Sequence, residues 1–147
     1  MNYEIKLPIL SDLDGYKPLI YIKPSSPKKQ KEALEKMAVY FRREFKYDYV
    51  QYSKENHGSD CTGIIFTETA MDLVKNENHF PNRVIGGACF RQKSTGEYFL
   101  DWVWFHPFAR NRKILKRHWP ELKQKFPNFT LTKPLSAHME AFVKKHK

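Results

Sequence analysis

Cysteine is scarce in this 147-residue chain, which holds only Cys61 and Cys89. Two cysteines cannot build the disulfide framework of a small secreted domain, and a reducing, cytoplasmic setting is expected. Nor do they complete a zinc set. His57 and Cys61 are four residues apart, but no second pair at ligand spacing accompanies them. "DLDG" at 12–15 lacks the rest of a calcium loop, so no metal is expected. No apolar run approaches the ~18 residues of a membrane span. The opening "MNYEIKLPILSDLDG" has no cationic stretch followed by an apolar one, so no secretory signal is expected. Glycine is sparse too, and neither a Gly-x-Ser-x-Gly elbow nor a Walker loop occurs. Acid is also in short supply: 16 Asp and Glu face 26 Lys and Arg, a formal charge of +10. That balance favours acidic partners, whether nucleic acid, an acidic protein or a phosphorylated cofactor.

What is abundant is apolar and aromatic, at 41% and 15% of residues. This is far too rich for a disordered chain. The length suits one domain, 1–147, with an irregular segment at 1–17 marked by Pro8, Gly15 and "SDLD". "PLIYIK" (18–23) reads as a short strand. Ser26 is placed to cap a helix that Pro27 opens. Leu34, Met37, Ala38, Phe41 and Phe45 recur at helical spacing, predicting an amphipathic helix over 27–46 with a solvated basic face.

"YDYVQYS" (47–53) is a strand or an aromatic-rich connection. "CTGIIFTE" (61–68) is a strand, followed by a polar excursion. "RVIGGACFRQ" (83–92) and "EYFLDWVWFH" (97–106), joined by "KSTG", predict an antiparallel pair. Gly86 and Gly87 imply a bulge or a close backbone approach. Trp102 and Trp104 share one strand face, as core residues do. Ile114, Leu115, Trp119, Leu122 and Phe126 predict a further helix, kinked or divided at Pro120. "NFTLTKP" (128–134) is a short strand, and Ser136 is placed to cap a last helix. The order is strand, helix, three strands, helix, strand, helix. It predicts an α+β fold around a mostly antiparallel sheet.

Charge is concentrated where the strongest strand becomes a helix, in "HPFARNRKIL" (106–115). A helix N-terminus presents unsatisfied N–H groups and a partial positive charge, which suits a phosphate. Arg110, Arg112 and Lys113 add side-chain cations, although a solvated first turn would carry them equally well.

Three stretches across 83–146 resemble the GNAT acetyltransferase superfamily. "RVIGGACFRQ" is similar to its third strand, "WVWFHPFARNRKIL" to its fourth strand and pyrophosphate loop, and "SAHMEAFVKK" to its fourth helix. Arg110 falls on the loop motif's leading Arg/Gln, and Lys113 and Leu115 on its two glycine or alanine positions. Ser136, Phe142 and Val143 fall on the fourth helix's usual Asn, Phe and Tyr. The glycine-poor loop is closest to the branch that acetylates the cohesin ring, whose zinc finger is absent here.

The resemblance implies a sheet that splays after the fourth strand. It also implies acetyl-CoA as co-substrate, with its pyrophosphate on the loop and helix N-terminus at Arg110, Asn111, Arg112, Lys113, Ile114 and Leu115. Backbone N–H groups at Trp104, Phe105 or His106 would polarise the thioester carbonyl. Asp101 lies near where several members place the acid that deprotonates the amine, though an ion-pair partner would look the same, and Glu97 is the fallback. With Val143 in place of the tyrosine, Ser136 or His138 would protonate the departing thiolate. The implied activity is acetyl transfer to an amine, such as a protein lysine. A catalytically silent GNAT-fold protein is the alternative, favoured by the lost glycines and tyrosine. A basic nucleic-acid-binding protein is the other, favoured by charge but lacking a reading motif.

Overall fold

The structure, a computed structural model, describes residues 7–10, 18–46, 50–56, 58–69, 81–110, 113–131 and 144. The elements are β1 (Ile9–Leu10), β2 (Leu19–Ile22), α1 (Lys28–Phe45), a 3₁₀ turn (Lys54–Asn56), β3 (Cys61–Thr69), β4 (Asn82–Gln92) and β5 (Tyr98–Phe105). A second 3₁₀ turn (Pro107–Ala109), α2 (Ile114–Lys125) and β6 (Thr130–Leu131) follow. Among the described residues they form one six-stranded sheet, ordered β2-β3-β4-β5-β6, with β1 on β4. All pairs are antiparallel except β5 with β6, which is parallel. The fold is the expected α+β one, and β5 is interior at its start.

Among the described residues each sheet face carries one helix, which is why β3 and β4 are apolar almost without alternation. On one face α1 lays Leu34, Met37 and Ala38 against Ile65, Val84, Cys89, Trp102 and Trp104. On the other, α2 packs Ile114, Trp119 and Leu122 against Phe66, Ile85, Phe90 and Phe105. The paired glycines serve close approach on both faces. A Cβ on Gly87 would stand 2.8 Å from Met37 Cβ, and one on Gly86 would stand 2.5 Å from Phe105 Cδ1. A bulge lies beside them as well: Phe66 opposes Gly86 and Thr67 opposes Val84, leaving Ile85 as the extra residue.

Several expectations are corrected. Ser26 does not cap α1. Its Oγ accepts the Lys23 N–H at 2.8 Å and closes a turn, while Pro27 occupies the cap position with no side-chain cap bond. α2 runs through Pro120 as one element. The donor that proline lacks costs one backbone bond, but Trp119, Leu122 and Phe126 are all buried around it and hold both halves to the sheet. Residues 50–53 form no strand, although Tyr52 is buried. The N-terminal segment contributes β1, whose Ile9 and Leu10 oppose Arg83 and Asn82. β1 takes the edge of β4 that β5 vacates beyond Phe105. The rest of the N-terminal segment, the excursion at 70–80, and Ser136, His138 and Val143 of the last helical pattern lie outside the described residues.

Candidate functional site

β5 ends where proline ends it. His106 donates its N–H to the Ile85 carbonyl at 2.8 Å, and Pro107 then offers no donor to continue the ladder. A 3₁₀ turn closes with Ala109 N–H on the His106 carbonyl, 2.8 Å. Opposed residues of an antiparallel pair alternate between bonded and non-bonded. With His106 bonded to Ile85, the next pair, Gly86 and Phe105, is non-bonded. The N–H and C=O of Phe105 therefore point away from β4, and those of Trp104 toward Gly87. Of the three donors anticipated from sequence, Phe105 alone faces the outer edge. Among the described residues β6 covers that edge only at Phe99 and Leu100. The residues that follow β6, on which the anticipated splay depends, lie outside the described residues.

The helix that follows begins with an unusual residue. Lys113 is left-handed, φ 57° and ψ 30°. A left-handed lysine costs about 1–2 kcal/mol that glycine would not, and this is the position where the resembling motif has its first glycine. α2 has no side-chain cap; its first bond runs from Arg117 N–H to the Lys113 carbonyl at 3.0 Å. The N–H groups of Ile114, Leu115 and Lys116 consequently have no helical acceptor. The Lys113 side chain is exposed, Ile114 is buried and Leu115 half-buried, so the last two contribute backbone and not side chain. Asn111 and Arg112 lie outside the described residues.

Arg110 is placed otherwise than a free phosphate-binding cation. Its Nε donates to the Phe105 carbonyl at 2.9 Å, its Nη2 to Glu44 Oε1, and its guanidinium lies 5.8 Å from the centre of the Trp104 ring. Trp104 Nε1 donates to the same Glu44 oxygen at 2.9 Å. Sequence reasoning missed Glu44. Its one signal is position: a carboxylate in the last turn of a helix opposes the helix dipole and requires a partner. His106 lies alongside, its ring 6.4 Å from that of Trp104. Burial, and then the Arg110 charge, push its pKa down.

Asp101 is the extra residue of a second bulge, between the pairs Cys89–Trp102 and Phe90–Leu100. Its carboxylate accepts Arg91 Nε at 2.9 Å, and Arg91 also reaches the Gln51 carbonyl at 3.1 Å. Four residues of strand, about 13 Å, separate it from Phe105. The buried thiols Cys61 and Cys89 lie beside this pair on the α1 face. Burial first, then the bond to Cys61, raises the Cys89 pKa. Glu97 stands exposed in the preceding turn. On the α1 side, a cavity of about 570 Å³ opens between β1 and α1, lined by Leu10, Lys36, Tyr40 and Arg43 among others. Tyr40 connects it to the end of β5, its ring 5.2 Å from that of Trp104.

Comparison of the whole chain with solved structures decides what this architecture is. A ribosomal-protein-alanine N-acetyltransferase from Brucella melitensis biovar Abortus 2308 superposes with a TM-score of 0.56 over 87% of both chains, at 11% identity. A GNAT-family acetyltransferase from Staphylococcus aureus Mu50 superposes with a TM-score of 0.55, covering 87% of this chain and 82% of its own, at 13% identity.

The fold is the GNAT fold. No protein-family model and no curated protein sequence matches the chain, so the GNAT likeness lives in the backbone and not in the letters. Among the described residues no group of three His, Cys, Asp or Glu side chains is arranged to hold a metal ion. Nor is any helix there long and apolar enough to cross a membrane.

Proposed function

We propose that this protein transfers the acetyl group of acetyl-CoA to an amine. One observation carries the reading: among the described residues the outer edge of β5 is uncovered at Phe105, and the α2 that follows has no side-chain cap at its N-terminus. The N–H groups of Ile114, Leu115 and Lys116 suit a diphosphate, with Lys113 and Arg112 supplying charge around it. The thioester then lies along the outer edge of β5, and Phe105 N–H donates to its carbonyl oxygen as negative charge develops there. The amine forms the new C–N bond, the C–S bond breaks, and the thiolate leaves with a proton. Ser136 or His138 is assigned to supply that proton.

Asp101 is assigned to take the proton from the amine, through water across the distance to Phe105. The amine enters from the α1 side, by the cavity that Tyr40 lines. Its carrier is an acidic protein offering a lysine or terminal amine, in keeping with the +10 charge. The cytoplasm is the compartment that fits buried free thiols. Lys113, where GNAT loops have glycine, favours one alternative, a protein that binds CoA without turnover.

The test is acetyl-CoA consumption with a panel of peptide amines by the native protein and Asp101→Asn. The expected result is turnover that falls at least tenfold in the variant with unchanged acetyl-CoA affinity, since a base acts mainly in the transition state. Undiminished turnover would leave Asp101 as the partner of Arg91 only. Tight acetyl-CoA binding without turnover on any amine would favour the silent protein.

A further inference from the structure

We infer that Glu44 and Arg110 form a clamp that sets the Phe105 peptide against the thioester, making Arg110 a positioning residue rather than a phosphate ligand. The inference deepens the acetyl-transfer reading and rests on it. Arg110 spends its donors inward: one on the Phe105 carbonyl and one on Glu44, with its plane over Trp104. Glu44 also takes Trp104 Nε1. The Trp104 ring and the Phe105 carbonyl are thus both held, and the peptide between them carries the Phe105 N–H. That N–H is fixed from either side. Its direction is what a carbonyl-polarising donor must not lose, because such a donor helps only when it is already aimed.

Swinging Arg110 out to a diphosphate would undo this arrangement. The side chains of Arg110 and Glu44 are only 22% and 28% exposed. Departure of the guanidinium would break its ion pair with a half-buried carboxylate, and breaking such a pair by removing one partner is costly. It would also strip the Phe105 carbonyl of its donor. Lys113, exposed at the start of α2, can supply charge to a phosphate without any such loss. The clamp also adds a polar tie to the apolar packing of α1 on β5, between the helix beside the amine's path and the strand beside the thioester.

CoA and acetyl-CoA share every phosphate and differ in the thioester carbonyl, so their affinities separate the two roles. Calorimetric titrations would use the native protein, Glu44→Gln, Arg110→Met and Arg110→Lys, the last keeping the charge and guarding against misfolding. The clamp predicts that acetyl-CoA affinity falls about tenfold in all three, one well-made hydrogen bond, while CoA affinity stays within about twofold. A phosphate-ligand role predicts the reverse: Glu44→Gln frees the guanidinium and strengthens both ligands, and Arg110→Met weakens both equally. That pattern would overturn the clamp and leave acetyl transfer standing. Unchanged affinity for both ligands in folded variants would also overturn it. If the native protein binds neither ligand, the acetyl-transfer reading itself falls and takes the clamp with it.

Discussion

His118 shows how much of this protein depends on single side chains that sequence periodicity cannot rank. It is buried on α2 with its ring 5.8 Å from Phe66, and its Nε2 has no hydrogen-bond partner among the described residues. Burial holds its pKa below the usual 6.5, so the unfolded chain binds the proton more readily than the folded one. Stability is therefore complete above pH 6.5 and declines as pH falls from 6.5 toward the depressed value. Chemical denaturation at pH 7.5 and 5.0 should show that loss, and His118→Leu should remove part of it. His106, shifted the same way, contributes a further part. An equal loss in the variant would mean that His118 does not titrate in this window. At this scale the sequence was half legible. The cationic residues near a helix start could be seen, but the partner that claims Arg110 lies 66 residues away on α1, and no local pattern announces such a pairing. Lys113 is the converse case. Its left-handed backbone sits where the resembling motif calls for glycine, and the letters alone left that conformation open between left-handed and helical.

At the scale of elements, packing explains both what the pattern foretold and where it misled. The apolar runs of β4 and β5 and the helical stripe of α1 were plain because β4 is buried almost throughout, β5 buries alternate residues, and α1 buries one face. The expectation at Pro120 is a kink or a division; α2 is not divided there, since burial of Trp119, Leu122 and Phe126 outweighs one missing bond. The closeness of α1 to the sheet rests on small residues at the contact. Gly87→Ala should destabilise the protein by about 1–3 kcal/mol, because its methyl would meet Met37 Cβ at 2.8 Å and the helix backbone has to move. Urea unfolding measures this directly. A neutral Gly87→Ala would mean that α1 is free to shift. β1 escaped notice for a physical reason. Two residues are too few to show a period, and they form a strand only because β5 leaves the edge of β4 beside them.

For the molecule as a whole, the GNAT fold joins features that separately mean little. A charge of +10 suits any acidic partner, a basic turn is common, and an open strand edge is usually covered. On the proposed reading, the donors at the start of α2 take the diphosphate and the Phe105 N–H takes the thioester carbonyl. That reading separates acetyl-CoA binding from general attraction to nucleic acid. A nucleic-acid interface would spread its contacts over many cations and lose affinity steeply with salt. The most direct measurement is calorimetric titration of the native protein and the double variant Arg112→Glu, Lys113→Glu with acetyl-CoA, alongside an oligonucleotide at two salt concentrations. Saturable binding of one acetyl-CoA per chain is predicted, weakened at least about 100-fold in a folded double variant by loss of two charge-assisted contacts and their reversal. Unchanged acetyl-CoA affinity in that variant, or a native protein that binds only the oligonucleotide with steep salt dependence, would contradict the account.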